Sequence, residues 1–441
     1  MLLAEKEAPV RQELYERLIE ARRRTDELFG IVRAQSLYER PIPERHRIIF
    51  YIGHLEAFDW NLLSERVFAL SSFHSDFDKL FAFGIDPVGG GLPDDQPSDW
   101  PAIEQVRTYV SEIRQRLDDA LDKAGADSES REFPLRQLLN VAIEHRLMHA
   151  ETLAYMLHQL PFDRKIVPAA KPIPTTASVA PGMVEIPAGS ATLGLSRQKD
   201  VFGWDNEFEQ HVVNVPEFAI DQYEVTNREY LDFLRAGGYQ AREFWDDDDW
   251  NWKAANRISQ PVFWKQTADG WLYRGMFEEM PLPLDAPVYV SQAEAKAYAN
   301  WARKSLPTEA EWHRAAYGDL SGTERAYPWG DAAPTANRGN FDFAYWDPTP
   351  VNAFPEGNSA FGVADLMGNG WEWTSTPFGP FAGFEPFPFY PGYSANFSDN
   401  KHFVMKGGSA RTAACMLRRS FRNWFQSHYQ YVYAGFRCVR R

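Results

Sequence analysis

The chain has 441 residues, with 46 basic against 61 acidic side chains and a formal net charge of −15. That balance excludes the basic face of a nucleic-acid binder, and only two cysteines, Cys415 and Cys438, exclude a disulfide-stapled secreted fold. Hydrophobic residues at 44% and aromatic ones at 15% allow two domains and structure held by large rings. The opening MLLAEKEAPVRQ has no basic leader and only a short apolar run, so it is not a signal peptide. No stretch approaches 18 apolar residues. The sequence therefore predicts a soluble, cytoplasmic protein without a membrane partner.

Leu14, Leu18, Ile19 and Leu28 sit at helical spacing and predict a first helix over residues 11–29. Ile48, Ile52, Leu55, Phe58, Leu62 and Phe68 predict a second over 45–70. A third covers 100–124 and a fourth 133–159, and four helices of this length predict an up-down bundle. The connection over 81–101 is rich in Gly, Pro and Asp and too long for an idle turn. Residues 161–181, rich in Pro, Ala and Thr, read as an extended linker. Beyond 182 the texture changes to short strand-like runs at 183–189, 217–225, 286–291, 402–409 and 434–440. Loops dense in Trp, Gly, Asn and Pro separate them, and one helix is expected over 291–304. The second half is thus α+β with little regular structure.

The fourth helix contains H-x3-H-x-E: His145, His149 and Glu151. Four residues apart on a helix, the two imidazoles leave one face and can serve as neighbouring ligands of one divalent metal. The plain alternative is a surface or core histidine pair. The zinc-protease helix is excluded, because Arg146 rather than Glu follows His145.

Seven ordered landmarks run through the second half: MVEIPAGSATLG (183–194), YEVTNREY (223–230), LPTEAEWHRAA (306–316), YPWGD (327–331), MGNGWEWTST (367–376), KGGSA (406–410) and AGFRCVR (434–440). They resemble the formylglycine-generating-enzyme/sulfatase-modifying-factor fold, a C-type-lectin-like architecture. The first half, with YIGHLEAFDW around His54 on the second helix and His145 and His149 on the fourth, resembles the DinB-like metal-binding bundles. The resemblance divides the chain into a metal-binding bundle (1–160), a linker (161–181) and a formylglycine-generating-enzyme-like domain (182–441). Facing bundle helices lie roughly 8–10 Å apart, close enough for His54 to complete a three-histidine site. In this order the halves resemble the EgtB-type sulfoxide synthases of ergothioneine biosynthesis, and the resemblance covers nearly the whole chain.

That resemblance implies a non-haem iron(II) centre on His54, His145 and His149. It also implies an O2-driven coupling of a thiol to the imidazole carbon of hercynine, with a sulfoxide product. Three neutral imidazoles leave open positions for O2 and a thiolate. Coupling and sulfur oxidation remove four electrons, the number one O2 accepts, whereas zinc has no redox chemistry. Glu151 is either an acceptor that orients a ligand histidine or an exposed helix residue. In Tyr390-Pro391-Gly392-Tyr393-Ser394, the resemblance assigns the proton donor to Tyr390; aromatic packing is the alternative. In Ser420-Phe421-Arg422-Asn423-Trp424-Phe425, it assigns Asn423 to the substrate carboxylate and Trp424 to the trimethylammonium group. Arg422 is assigned either to substrate or to structure.

Two departures from the family pattern bear on substrate. Met148 stands where a Gln commonly contacts the imidazole, and it cannot donate that hydrogen bond. The loop GIDPVGGGLPDDQ (84–96) has no arginine, and Phe425 follows Trp424 where γ-glutamylcysteine users carry Asp. The arginine-free loop and Phe425 favour cysteine as sulfur donor over γ-glutamylcysteine; a selenium donor is the related alternative. A non-catalytic metal-containing binding module and a DinB-type thiol transferase are the readings from other classes. The two cysteines read as small buried hydrophobes. The acidic segments 245–250 and 202–207 suggest either a structural Ca²⁺ or solvated loops. The oligomeric state is not written in the sequence.

Overall fold

The computed structural model describes residues 4–82, 92–123, 133–169, 171–198 and 201–441. Residues 83–91 of the Gly/Pro-rich connection therefore lie outside the described part. The chain divides into two compact units, Met1–Pro168 and Ala169–Arg441.

The first unit is built from α1 (Ala4–Gly30), α2 (Ile48–Leu63), α3 (Ser75–Leu80), α4 (Ile103–Lys123) and α5 (Leu135–His158). In α4, buried Val106, Tyr109, Ile113, Leu117 and Leu121 recur every three or four residues, so one apolar stripe faces inward. By contrast, α2 is buried nearly all round, as Ile48, Ile49, Tyr51, Leu55, Trp60 and Leu63 show. It is the central helix and packs against α4 and α5, while α1 runs along α5. The second predicted helix stops short of its expected end. It is α-helical to Leu63, continues as a wider π-type turn over Ser64–Phe68, and ends at Ala69 with a left-handed φ of 52°. At the far end of α5, the buried Lys165 ammonium donates to the Leu157 and His158 carbonyls at 3.2 and 3.3 Å, supplying partners that a helix C-terminus lacks. A Val32–Lys165 bridge ties this part of the expected linker to α1's end.

The second unit contains β1 (Met183–Ile186), β2 (Gly189–Leu193), β3 (His211–Val215), β4 (Phe218–Asp221), α6 (Asn227–Arg235), α7 (Asp247–Ala255), β5 (Trp264–Thr267), β6 (Gly270–Arg274), β7 (Glu279–Pro281), α8 (Gln292–Trp301), α9 (Glu309–Tyr317), β8 (Trp371–Pro377), β9 (His402–Gly407), β10 (Asn423–Gln426), β11 (Ala434–Gly435) and β12 (Val439–Arg440). The largest sheet has the order β10-β9-β8-β11; β1-β4-β12 form a second, and β2-β3 and β5-β6-β7 form small antiparallel sheets. Trp312, Ile186, Phe218, Ile220, Phe341 and Leu366 form a buried core beneath α9.

Three helices here, α6, α7 and α9, were not expected from apolar spacing. Two of them begin at capping boxes: the Thr226 and Thr308 hydroxyls accept from the third helical N–H, and Glu229 and Glu311 reach back. The acidic segment 245–250 is not a loop but the start of α7. The expected strand at 286–291 is an isolated bridge, Thr226–Pro287, with Val288 and Val290 N–H groups donating to Val225 and Ala434. The expected strand at 434–440 divides into β11 and β12.

Candidate metal centre

Two of the three histidines are held by neighbours on or beside α2. Gly53 precedes His54 on α2, and a Cβ there would lie 2.5 Å from the Phe81 ring. With only hydrogen in that place, Phe81 packs onto α2 and its carbonyl accepts from His54 Nδ1 at 2.7 Å. That bond fixes the tautomer and leaves the Nε2 lone pair for another partner. Phe50 stacks on the His54 ring at 4.8 Å and Phe58 stacks on His145 at 3.4 Å.

The three rings converge, one nitrogen from each lying within 4.8 Å of the other two, and all three side chains are buried. His145 Nε2 and His149 Nε2 are 3.1 Å apart. Two such nitrogens can share a proton or a cation. A third imidazole favours the cation, since His54 Nε2 is buried with no hydrogen-bond partner among the described residues. A pair of cis ligands at ~2.1 Å from one metal would be separated by about 3 Å, so the spacing fits. Burial lowers all three pKa values, His54 to about 4 and His145 and His149 well below the ordinary imidazole range. The donors are therefore neutral near pH 7, as metal ligation requires. Three nitrogens and no carboxylate suit iron, zinc or copper better than Mg²⁺ or Ca²⁺.

Histidine spacing does not mark the charges that lie between the helices carrying the triad. Arg146, fully buried, binds Glu56 and Asp59 of α2. Burial opposes ionisation of Glu56, but Arg146 and Arg114 outweigh it and hold that carboxyl at about 2. The available signal was two acids inside the otherwise apolar IIFYIGHLEAFDW. Glu151 is buried rather than exposed, and Met148 is half-buried on α5.

In the second unit, Tyr390 and Trp424 enter one aromatic cluster. Tyr393 stacks on Trp204 at 4.0 Å and meets Trp424 edge-on at 5.4 Å, and Tyr390 lies 5.8 Å from Tyr393 and 6.5 Å from Trp204. Ser394 donates to Asp205 at 2.6 Å and pins this turn. Asn423 lies half-buried on β10, its side-chain oxygen accepting from Trp424 N–H at 2.9 Å, and Phe425 stacks on Tyr429. Arg422 is buried in a bidentate pair with Glu309 at 2.9 and 3.1 Å and also donates to the Asn206 and Gly379 carbonyls. Its charge is used inside the domain.

Neither acidic segment gathers carboxylates for Ca²⁺, contrary to that expectation. Asp246 and Asp249 pair with Lys296, Asp249 also meets His428, and Glu207 pairs with Arg418 and Ser420. Cys438 is buried as expected, but Cys415 is exposed, because it falls in a short 3-10 turn (Ala414–Met416) rather than in the core.

Comparison with known proteins agrees with this two-unit organisation. The DinB superfamily profile matches residues 17–153, and the sulfatase-modifying factor enzyme 1-like domain profile matches 169–441. The hercynine oxygenase of Mycolicibacterium thermoresistibile is 36% identical over 342 residues, covering 76% of this chain and 74% of that protein. That of Mycolicibacterium smegmatis is 35% identical, covering 76% and 77%. Ergothioneine biosynthesis protein 1 of Neurospora crassa is 29% identical, covering 92% of this chain and 55% of that protein.

Proposed function

This chain belongs to the hercynine oxygenase family, and on that premise we propose that it is an iron(II)- and O2-dependent sulfoxide synthase of ergothioneine biosynthesis. Its substrates are hercynine and a thiol, with L-cysteine preferred over γ-glutamylcysteine. The observation that carries this reading is the buried convergence of three neutral imidazoles.

The reaction balances without an external reductant. A thiol S–H and an imidazole C–H are lost, and a C–S bond and an S=O bond form. One oxygen stays in the product and the other leaves as water. Bound to His54, His145 and His149, iron(II) supplies open coordination positions and electron exchange with O2. Phe81 orients His54 for that task. In this reading Tyr390 holds the proton delivered during the oxidation. Asn423 bonds the hercynine carboxylate and Trp424 presents a π-face to the trimethylammonium cation. Arg422, through Glu309, positions the strand that carries both. Met148, next to His149 on α5, and Phe425, on β10, are assigned as apolar substrate contacts, each within its own unit.

The test is anaerobic reconstitution with iron(II), then O2 uptake with hercynine plus cysteine, hercynine plus γ-glutamylcysteine, or each alone, with products read by mass. Uptake that requires both hercynine and cysteine, giving a coupled product with one added oxygen, is expected. No uptake with any pair overturns the reading. Tyr390→Phe is expected to divert turnover toward oxidation of the thiol alone, and an unchanged sulfoxide yield removes Tyr390 from the mechanism.

A further inference from the structure

Arg146 directly follows His145, but one position on a helix turns the side chain by about 100°. Its guanidinium leaves the ligand face and enters the interior between helices. There Nη2 donates to the Leu55 carbonyl at 3.0 Å and to Asp59 Oδ2 at 2.6 Å, and Nη1 donates to Glu56 Oε1 at 3.0 Å. Leu55, Glu56 and Asp59 follow His54 on α2 by one, two and five positions. A single side chain beside two of the imidazoles thus grips the turn that carries the third. Glu56 also accepts from Arg114 of α4 at 2.8 and 2.7 Å, and Arg114 binds Asp26 of α1 at 2.7 and 2.8 Å. The charges come from all four long helices and meet in one layer.

Stability alone does not explain such an arrangement, because apolar side chains of similar volume commonly replace a buried ion network at no loss. Geometry does. Apolar helix faces slide past each other through several near-equivalent packings. A planar guanidinium with two carboxylates and a carbonyl to satisfy accepts one. If α5 slipped by one residue against α2, all three bonds would break, and His145 and His149 would turn away from His54.

We propose that Arg146 is a positioning residue of the metal centre: through Asp59, Glu56 and the Leu55 carbonyl it fixes the rotation and height of α5 against α2 and so brings the three imidazoles together. This rests on the reading that those histidines hold a metal.

The experiment titrates Co(II) into the metal-free full-length chain and follows its visible ligand-field bands and Kd. The wild type is expected to take up one Co(II) per chain, and His145→Ala to abolish uptake. The variants are Asp59→Asn and the triple R146M/E56Q/D59N, which removes the pair without stranding a charge. With helical circular dichroism and a cooperative melt retained, the triple variant is expected to bind Co(II) about 10- to 100-fold more weakly, the range seen when supporting groups of a metal site are lost. Its bands should shift, and Asp59→Asn should show a smaller change in the same direction. A role in folding alone would lower the melting temperature and leave the Kd and bands of the folded protein unmoved, and a folded triple variant with wild-type Kd and bands overturns the proposal. If the wild type takes up no Co(II), or His145→Ala leaves uptake intact, the metal reading itself falls and the positioning role with it. Failure of the variants alone leaves the metal reading standing.

Discussion

In the bundle, Arg146 reaches from one regular helix to another; in the second unit, Arg437 reaches across loops. Arg437 is also fully buried. It pairs with Glu372 at 2.6 and 2.8 Å and donates to the carbonyls of Asp221, Gln222 and Ala364. Asn369 acts in the same way, with a left-handed φ of 63°. It donates to Asp365 and the Thr349 carbonyl, and accepts from Thr349 N–H. Helices satisfy their own backbone, so the bundle's polar side chains are free to orient ligands. Short strands and long loops leave buried carbonyls over, and buried side chains must take them up. Several sequence landmarks of the second unit, among them the W-E-W and G-F-R segments, carry this scaffolding.

The largest expected break falls on the bundle alone. His149→Ala should abolish metal uptake and turnover, measured by metal analysis and O2 consumption, while circular dichroism stays near wild type. In the second unit, Arg437→Met leaves Glu372 buried without its partner. It should cost roughly 3–5 kcal/mol, read by urea unfolding through Trp fluorescence, which reports mainly that unit. Acid sharpens the contrast, because His54 of the bundle and Asp365 of the second unit contribute in opposite directions. His54 titrates at about 4 when folded against roughly 6.5 when unfolded. The unfolded chain therefore binds more protons below roughly pH 6.5, and His54 alone should cost the metal-free bundle on the order of 3 kcal/mol between roughly pH 6.5 and 4; His145 and His149, lowered in the same direction, add to that loss. Burial pushes the Asp365 carboxyl up to about 7. There the folded state keeps a proton that the unfolded chain releases, so its unfavourable contribution should fade as pH drops from 7 toward 4. Asp365→Asn isolates that contribution: urea unfolding by Trp fluorescence at pH 7 and pH 4.5 should show the variant gaining stability over wild type at pH 7 and less so at pH 4.5, and an equal difference at both pH values would refute it. The smallest change is Gly53→Ala, whose Cβ must displace Phe81. A cost of about 1–3 kcal/mol and weaker metal binding are expected, through loss of the Phe81 carbonyl from His54 Nδ1.

The bundle was legible because its helices keep one period and the sequence shows where that period carries His54, His145 and His149. Arg146 was not, because spacing does not say which charged residue turns inward; that depends on acids on another helix. α6 and α9 were legible in principle, through T-x-x-E at Thr226 and Thr308, but their apolar spacing is too short to announce them. The run at 286–291 looked like a strand because its residues are apolar, yet its backbone partners lie on two separate segments, near 225 and 434. The cluster of Trp204, Tyr390, Tyr393 and Trp424 joins rings far apart in the chain, and only the fold brings them together.

His54 and His145 stand about 90 positions apart, so a metal ion held by both would close a loop comprising a fifth of the chain. Such an ion is a clasp as well as a reagent. It binds the folded state and not the open chain, and at free metal a thousand times its Kd it would add about 4 kcal/mol to the bundle. Scarcity of the metal would then reach this protein twice, first as lost turnover and then as a shorter lifetime of the chain itself.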